Sequence, residues 1–313
     1  MMALPKVVAF GGGHGLAATL MALKRLTDQL TAVVTVADDG GSSGRLREEF
    51  GCLPPGDLRM ALAALTGDNT EGRLWADVLQ SRFEGTGPLA GHAVGNLLIA
   101  ALWQQDTDPV KGLDRVGRLL KAQGRVLPMA ALPLVIAADV VGIDPKNPDD
   151  VSILRGQARI AATEGDVLNV RLEPENPPAC PEAITSIMEA DYLIFGPGSW
   201  FTSVVPHLLV PELVSAILET KAKRICLLNL RTYGETSGFT PTRHIEVLAD
   251  HCPQLTLSTV IADPRFAEGD PHLRRMVESM RGELMIAEVG MRDGSPRHDP
   301  FLLAATLAVV MEL

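Results

Sequence analysis

The sequence is poor in cysteine. It has four, Cys52, Cys180, Cys226 and Cys252, and no two form a CxxC pair. That spacing excludes zinc-ribbon and thioredoxin-like chemistry. It also lacks a basic stripe. The formal net charge is −10, and the basic residues are scattered or sit inside motifs, as Arg45 and Arg47 do. A long nucleic-acid surface is therefore not expected, while a local positive pocket for a nucleotide or sugar phosphate stays open. No stretch reaches the roughly 18 uninterrupted apolar residues of a membrane span, and the apolar run at 301–311 reads as a core helix. The first residues enter a strand-like stretch with no secretory pattern. Together with the unpaired thiols, this points to the cytoplasm.

What is present is ordinary globular material, with 46% hydrophobic residues in a chain of 313, enough for a sizeable core. An apolar strand at 6–10 runs into Gly11, Gly12, Gly13, His14 and Gly15, then into a helix-spaced segment at 16–26. A second apolar run at 31–37 ends at Asp38 and Asp39. Strand, glycine turn, helix and strand open a βαβ unit with a parallel sheet. Pro54, Pro55 and Gly56 precede Asp57, which reads as the N-cap of a helix over 58–65. Further helices fit 74–83, 94–103 and 109–123. The stretches 134–141, 152–162 and 167–172 are short and β-prone, which predicts a small antiparallel insert over 126–178 within a single domain covering 1–313. The α/β rhythm then returns with strands at 192–195, 224–230, 255–261 and 284–289, and with helices at 241–250, 271–281 and 300–312.

Ligands of open parallel sheets bind beyond the carboxyl ends of the strands, and three strand ends here carry unusual loops. The 11–15 loop lets backbone amides approach a phosphate at a helix N-terminus. Leu16 occupies the third glycine position of a dinucleotide fingerprint, which counts against an NAD-dependent oxidoreductase, and no Gly-Lys-Ser/Thr follows for a Walker loop. The second loop joins Asp38 and Asp39 to Gly40, Gly41, Ser42, Ser43 and Arg45. Its carboxylates suit Mg²⁺ or ligand hydroxyls, and the remainder suits an anion. The third, Gly196, Pro197, Gly198 and Ser199 with Thr202 and Ser203 beyond, is a second phosphate-type turn. His92 and Asn96 lie four apart and share a helix face. Asn229, Glu235 and Thr236 lie at a strand end and can position a substrate; Asp299 reads as a helix N-cap, and His207 and His244 read as structural or surface groups.

Taken together, GGGHGLAATLMALK, VTVADDGGSSGRLREEFGCLPPGDLRMALAAL, GHAVGNLLIAAL, FGPGSWFTSVVPHLLVPEL, NLRTYGETSGFTPTRH and RHDP resemble the YvcK family of bacterial gluconeogenesis factors, in the CofD-like superfamily, over essentially residues 6–312. The resemblance implies a Rossmann-like three-layer α/β/α fold with a mainly parallel sheet. It implies binding of a UDP-sugar, notably UDP-N-acetylglucosamine, and a role in cell shape and peptidoglycan precursor supply during gluconeogenic growth. The sister CofD enzymes imply an alternative, Mg²⁺-dependent transfer of 2-phospholactate to a deazaflavin precursor. The implied ligand contacts are the three loops together with Asn96, His207, Asn229 and Arg297. This chain has His14 where many members carry Thr, His207 where Asn is common and Tyr233 where Gln-Pro is usual; His14 and His207 are thereby expected to face ligand. No cofactor is required for binding alone. Partners among cell-wall synthesis proteins and a homo-oligomer stay open.

Overall fold

The computed structural model describes residues 4–106 and 108–313. Residues 1–3, on which the reading of the N-terminus partly rests, lie outside the described residues, as does Thr107.

Seven parallel strands form the central sheet: β1 (Val7–Gly11), β2 (Leu30–Val34), β3 (Arg125–Pro128), β7 (Tyr192–Phe195), β8 (Lys223–Leu227), β9 (Thr259–Ala262) and β10 (Glu283–Ile286). Their spatial order is β10-β9-β8-β7-β1-β2-β3. From β1 the chain builds outward through β2 and β3; from β7 it builds outward the other way. The crevice between β1 and β7 is therefore the point where strand order reverses, the preferred ligand position in this architecture. β1 and β7 are buried throughout, as parallel strands covered by helices on both faces must be. Phe10 and Phe195, from these two strands, stack at 4.9 Å between ring centroids.

The helices used below are α1 (Gly13–Leu23), α2 (Gly41–Phe50), α3 (Pro55–Ala64), α4 (Thr70–Gln80), α5 (Val94–Gln105), α6 (Pro109–Leu120) and α7 (Gln157–Ala161). α3 and α4 begin at Pro55 and Thr70, ahead of the expected 58 and 74, and two segments differ in kind. The second glycine-rich stretch is helical from Gly41 onward, so Ser42, Ser43 and Arg45 sit on α2 rather than on a loop. The segment 152–162 is strand only at β5 (Ser152–Arg155), and it turns at Gly156 into α7.

The remaining strands are β4 (Val135–Val141) and β6 (Asp166–Glu173); β5 and β6 pair antiparallel with β4 on its two sides, in the order β5-β4-β6. The expected stretch 126–178 is thus broader than the antiparallel sheet, because β3 pairs in parallel with β2. Among the described residues, no single helix is long and apolar enough to cross a membrane. The apolar C-terminal run forms the helix Pro300–Val310, whose Asp299 N-cap accepts from the amides of Phe301 and Leu302.

Candidate ligand site at the strand-order reversal

The loops after β1 and β7 meet. A Cβ on Gly15 would collide with the Pro197 carbonyl, and one on Gly198 would stand 3.9 Å from the Gly12 carbonyl. Gly12 is equally constrained, since a Cβ there would lie 2.5 Å from Asp57 Oδ2 and 2.7 Å from Thr35 Oγ1. Gly13 is different. Its φ is +57°, a left-handed conformation that glycine adopts freely, and only Asp57 Oδ1, at 3.9 Å, comes near its missing Cβ. Gly15 and Gly12 thus close the packing, while Gly13 faces open space.

The third loop is held from beneath. The Asn229 side chain accepts from the Gly198 amide and donates to the Gly198 carbonyl, both at 2.9 Å. It clamps the loop, and both ends of its carboxamide are engaged. Thr202 Oγ1 donates to Ser199 Oγ at 2.6 Å, and Ser199 Oγ donates to Glu235 Oε1 at 2.7 Å. The Phe201 amide donates to the same carboxylate oxygen. Glu235 Oε2 is buried with no hydrogen-bond partner among the described residues. Burial pushes the Glu235 carboxyl from its ordinary 4.5 up to about 7, against the pull of these hydrogen bonds. Ser203 is buried, with its amide bonded to the Ser199 carbonyl.

Beside the two loops lies a cavity of about 350 Å³, of the order expected for a small-molecule site. His14, Gly15, Ala18 and Met21 of α1 form one wall, and Pro197, Gly198 and Asn229 another. Leu230, Arg231, Tyr233, Arg297 and His298 complete it. His14, Arg231, Tyr233 and Arg297 are exposed, whereas His298 is buried. Burial lowers the His298 imidazole to about 4, so it is neutral near pH 7.

On the β2 side, Asp38 and Asp39 diverge. Asp38 Oδ1 accepts from the Gly40 amide at 2.9 Å, and its Oδ2 lies 2.6 Å from where a Cβ on Gly56 would stand. Asp39 turns toward the antiparallel sheet, where Oδ1 accepts from the Ala158 amide in the first turn of α7 at 3.1 Å. The carboxylate that accompanies Asp38 is Asp57. It does not cap the helix as expected: α3 already begins at Pro55, a favoured first position. Asp57 lies in the first turn, buried, accepting from Thr35 Oγ1 at 3.1 Å and from the Gly13 amide. Burial, then the charge of Asp38, raises its carboxyl from 3.8 to about 6. Two oxygen ligands of this kind suit Mg²⁺, which takes one or two carboxylates and completes its shell with water or phosphate. No cluster of three or more such groups occurs among the described residues.

Four other expected ligand contacts, Arg45, His207, Ser42 and Asn96, are placed elsewhere or engaged otherwise. Arg45 is exposed, and its guanidinium donates to the carbonyls of Pro88 and Ala90 at 3.2 and 2.8 Å. His207, expected to face ligand, does not line the cavity. It is fully buried, edge-on to Phe10, with Nε2 bonded to the Val33 carbonyl at 3.0 Å. Nδ1 faces a second carbonyl, that of Val204, at 3.3 Å; burial holds this imidazole at about 4, so near pH 7 the neutral ring has a single proton to give to one of the two. Ser42 Oγ lies 2.9 Å from His92 Nδ1 and accepts from Asn96 Nδ2 at 3.0 Å, so the motif containing His92 and Asn96 meets the second loop through one hydroxyl.

The profile of the family described as 2-phospho-L-lactate transferase CofD matches residues 7–281. A Mycobacterium tuberculosis protein, provisionally named gluconeogenesis factor, is 52% identical over 305 residues, covering 96% of this chain and 89% of that protein. The gluconeogenesis factor of Bacillus subtilis is 36% identical over 278 residues, covering 88% of this chain and 84% of its own length. A crystal structure of a UPF0052 family member from Bacillus halodurans superposes with a TM-score of 0.86 at 30% identity, covering 98% of this chain and 99% of that one.

Proposed function

The chain belongs to the CofD family, beside relatives named gluconeogenesis factors, and from that premise we propose that it is a nucleotide-sugar-binding regulator. The carrying observation is the contact of the 11–15 and 196–199 loops at the β1–β7 crevice, next to the 350 Å³ cavity. The open face at Gly13 and the α1 amides that follow it, at His14 and Gly15, suit a pyrophosphate. The largely apolar cavity suits the nucleoside, with Arg231 and Arg297 at its rim. The resemblance to the YvcK family makes UDP-N-acetylglucosamine the ligand of choice, and precursor supply for peptidoglycan and cell shape the process regulated. Native mass spectrometry of protein from its own cells tests the reading, followed by calorimetry with UDP-N-acetylglucosamine. A co-purifying UDP-sugar supports it; a deazaflavin in its place, or no heat with any UDP-sugar, refutes it.

One observation favours a second reading, a phospholactate transferase. Asp38 and Asp57 are neighbouring carboxylates beside the first glycine loop, and they would hold Mg²⁺, which supplies charge stabilisation to a transferring phosphoryl group. Product formation from a deazaflavin precursor that Asp57→Asn abolishes would place this reading first.

A further inference from the structure

The cavity beside the two glycine loops is lined mostly by apolar groups, among them Ala17, Ala18, Met21, Leu230 and Met291. Its polar side chains are unequal. His14, Arg231, Tyr233 and Arg297 are exposed and can turn to water. Asn229 uses both ends of its carboxamide on Gly198. His298 alone among them is buried, at 7% exposure.

His298 is also fixed in place. Its backbone bridges antiparallel to Gly290. On either side of that bridge, the Met291 amide bonds to the Arg297 carbonyl and the Asp299 amide to the Val289 carbonyl, both at 2.8 Å. Val289 and Gly290 are held in turn by Asp263, which is 1% exposed and follows β9. Asp263 Oδ2 accepts from their amides at 3.0 and 2.9 Å. Its Oδ1 accepts from the Arg265 amide and Nε, both at 3.0 Å, so both oxygens of this carboxylate are engaged. The His298 ring faces the carbonyl of Leu228, a fully buried residue just beyond β8. A carbonyl only accepts, so the nitrogen facing it carries the one proton of the neutral ring, and the other nitrogen keeps a lone pair. His298 therefore offers an anchored acceptor to the cavity that it lines.

We propose that His298 reads the ligand's ring, as the hydrogen-bond acceptor for an imide N–H such as uracil N3–H. This rests on the nucleotide-sugar reading of the cavity and adds base choice to it. An apolar cavity with one enclosed acceptor suits a flat ring that carries one N–H between two carbonyls. It suits a sugar poorly, because each of several hydroxyls would need its own partner. Uracil presents N3–H at the middle of its pairing edge. Cytosine presents a lone pair at the same place, and there it meets the lone pair of His298. Switching the imidazole to its other tautomer to suit cytosine takes the donor from the Leu228 carbonyl and leaves a buried acceptor unsatisfied.

The test is calorimetry with UDP-N-acetylglucosamine and its cytidine analogue, which are identical except along this edge. The wild-type chain prefers the uridine compound by about ten- to a hundredfold. His298→Phe keeps a ring of similar shape, still binds the uridine compound, and narrows the preference to less than about threefold. Should His298→Phe fold poorly, nitrogen NMR of the wild-type imidazole carries the test: the lone-pair nitrogen of His298 moves upfield on binding the uridine compound, as a nitrogen that accepts a hydrogen bond does. Equal affinity for the two compounds in the wild-type chain, an undiminished preference in His298→Phe, or a His298 signal unmoved by the uridine compound overturns the proposal and leaves the nucleotide-sugar reading standing. No binding of either compound overturns both.

Discussion

Gly15 and Pro197 are in backbone contact: the carbonyl of Pro197 occupies the space that a Cβ on Gly15 would need. Any other residue at 15 must push apart the two loops of the candidate site. Gly15→Ala is therefore expected to cost about 1–3 kcal/mol of stability, as overpacking does, and to abolish UDP-sugar binding. Urea denaturation and calorimetry check both. Wild-type stability would show that the loops separate freely.

Gly13→Ala makes the complementary test. Its Cβ meets nothing but Asp57 Oδ1 at 3.9 Å, so the cost is conformational, about 1–2 kcal/mol for a left-handed alanine. Binding should fall far more than stability, and still more for Gly13→Val. A Gly13 variant that binds like wild type moves the phosphates to the 196–199 loop.

Glu235 predicts a pH dependence. Its carboxyl is raised by burial from 4.5 to about 7, so the folded chain holds this proton more tightly than the unfolded one. The associated stability is fully present below pH 4.5 and is lost as pH rises through about 7. Glu235→Gln keeps an acceptor for Ser199 and carries no charge. It should match wild type in mild acid and exceed it at pH 8, by on the order of 2–3 kcal/mol. Denaturation curves at both pH values decide, and a variant less stable than wild type at pH 8 refutes the assignment.

His207 predicts the opposite slope and no role in binding. Its folded value of about 4 lies below the ordinary 6.5, so its contribution is present above 6.5 and is lost as pH falls through 4. His207→Leu should cost about 1–3 kcal/mol through the loss of its hydrogen bond to a backbone carbonyl, that of Val33 or Val204, while leaving UDP-sugar affinity unchanged. A tenfold change in affinity would return His207 to the site.

Asp57→Asn separates the two functional readings. In a binder it changes UDP-sugar affinity little in EDTA; in a transferase it removes turnover while folding is retained. Steady-state product assays with Mg²⁺, beside calorimetry in EDTA, give the two measurements.

The strand ends and their glycine loops were legible because apolar runs and glycine clusters are local signals. The asymmetry among the glycines was not, since only the tertiary approach of Pro197 or Asp57 distinguishes Gly15 and Gly12 from Gly13. Asp57 was misread because Pro-Pro-Gly-Asp permits a helix starting at either end, and Pro55 took the first position. α7 was hidden by the β-prone residues around Gly156, where a side chain would strike Asp39. His207 reads as structural from its residue alone and as ligand-facing from its motif position; its burial edge-on to Phe10 is visible only in the tertiary structure. Arg59 carries no sequence signal at all, being one arginine in a helix, and its burial shows only in the tertiary structure.

The pairing of β1 with β7 has a consequence for how the chain comes into being. The Lys6 amide bonds to the Asp191 carboxylate across a separation of 185 residues. A chain growing from its N-terminus therefore exposes β1 as a raw sheet edge, open to wrong pairings, until Tyr192–Phe195 has emerged. The two halves of the candidate site are consequently never joined in any nascent fragment that stops short of the third glycine loop. Ligand can reward folding only in the last third of synthesis.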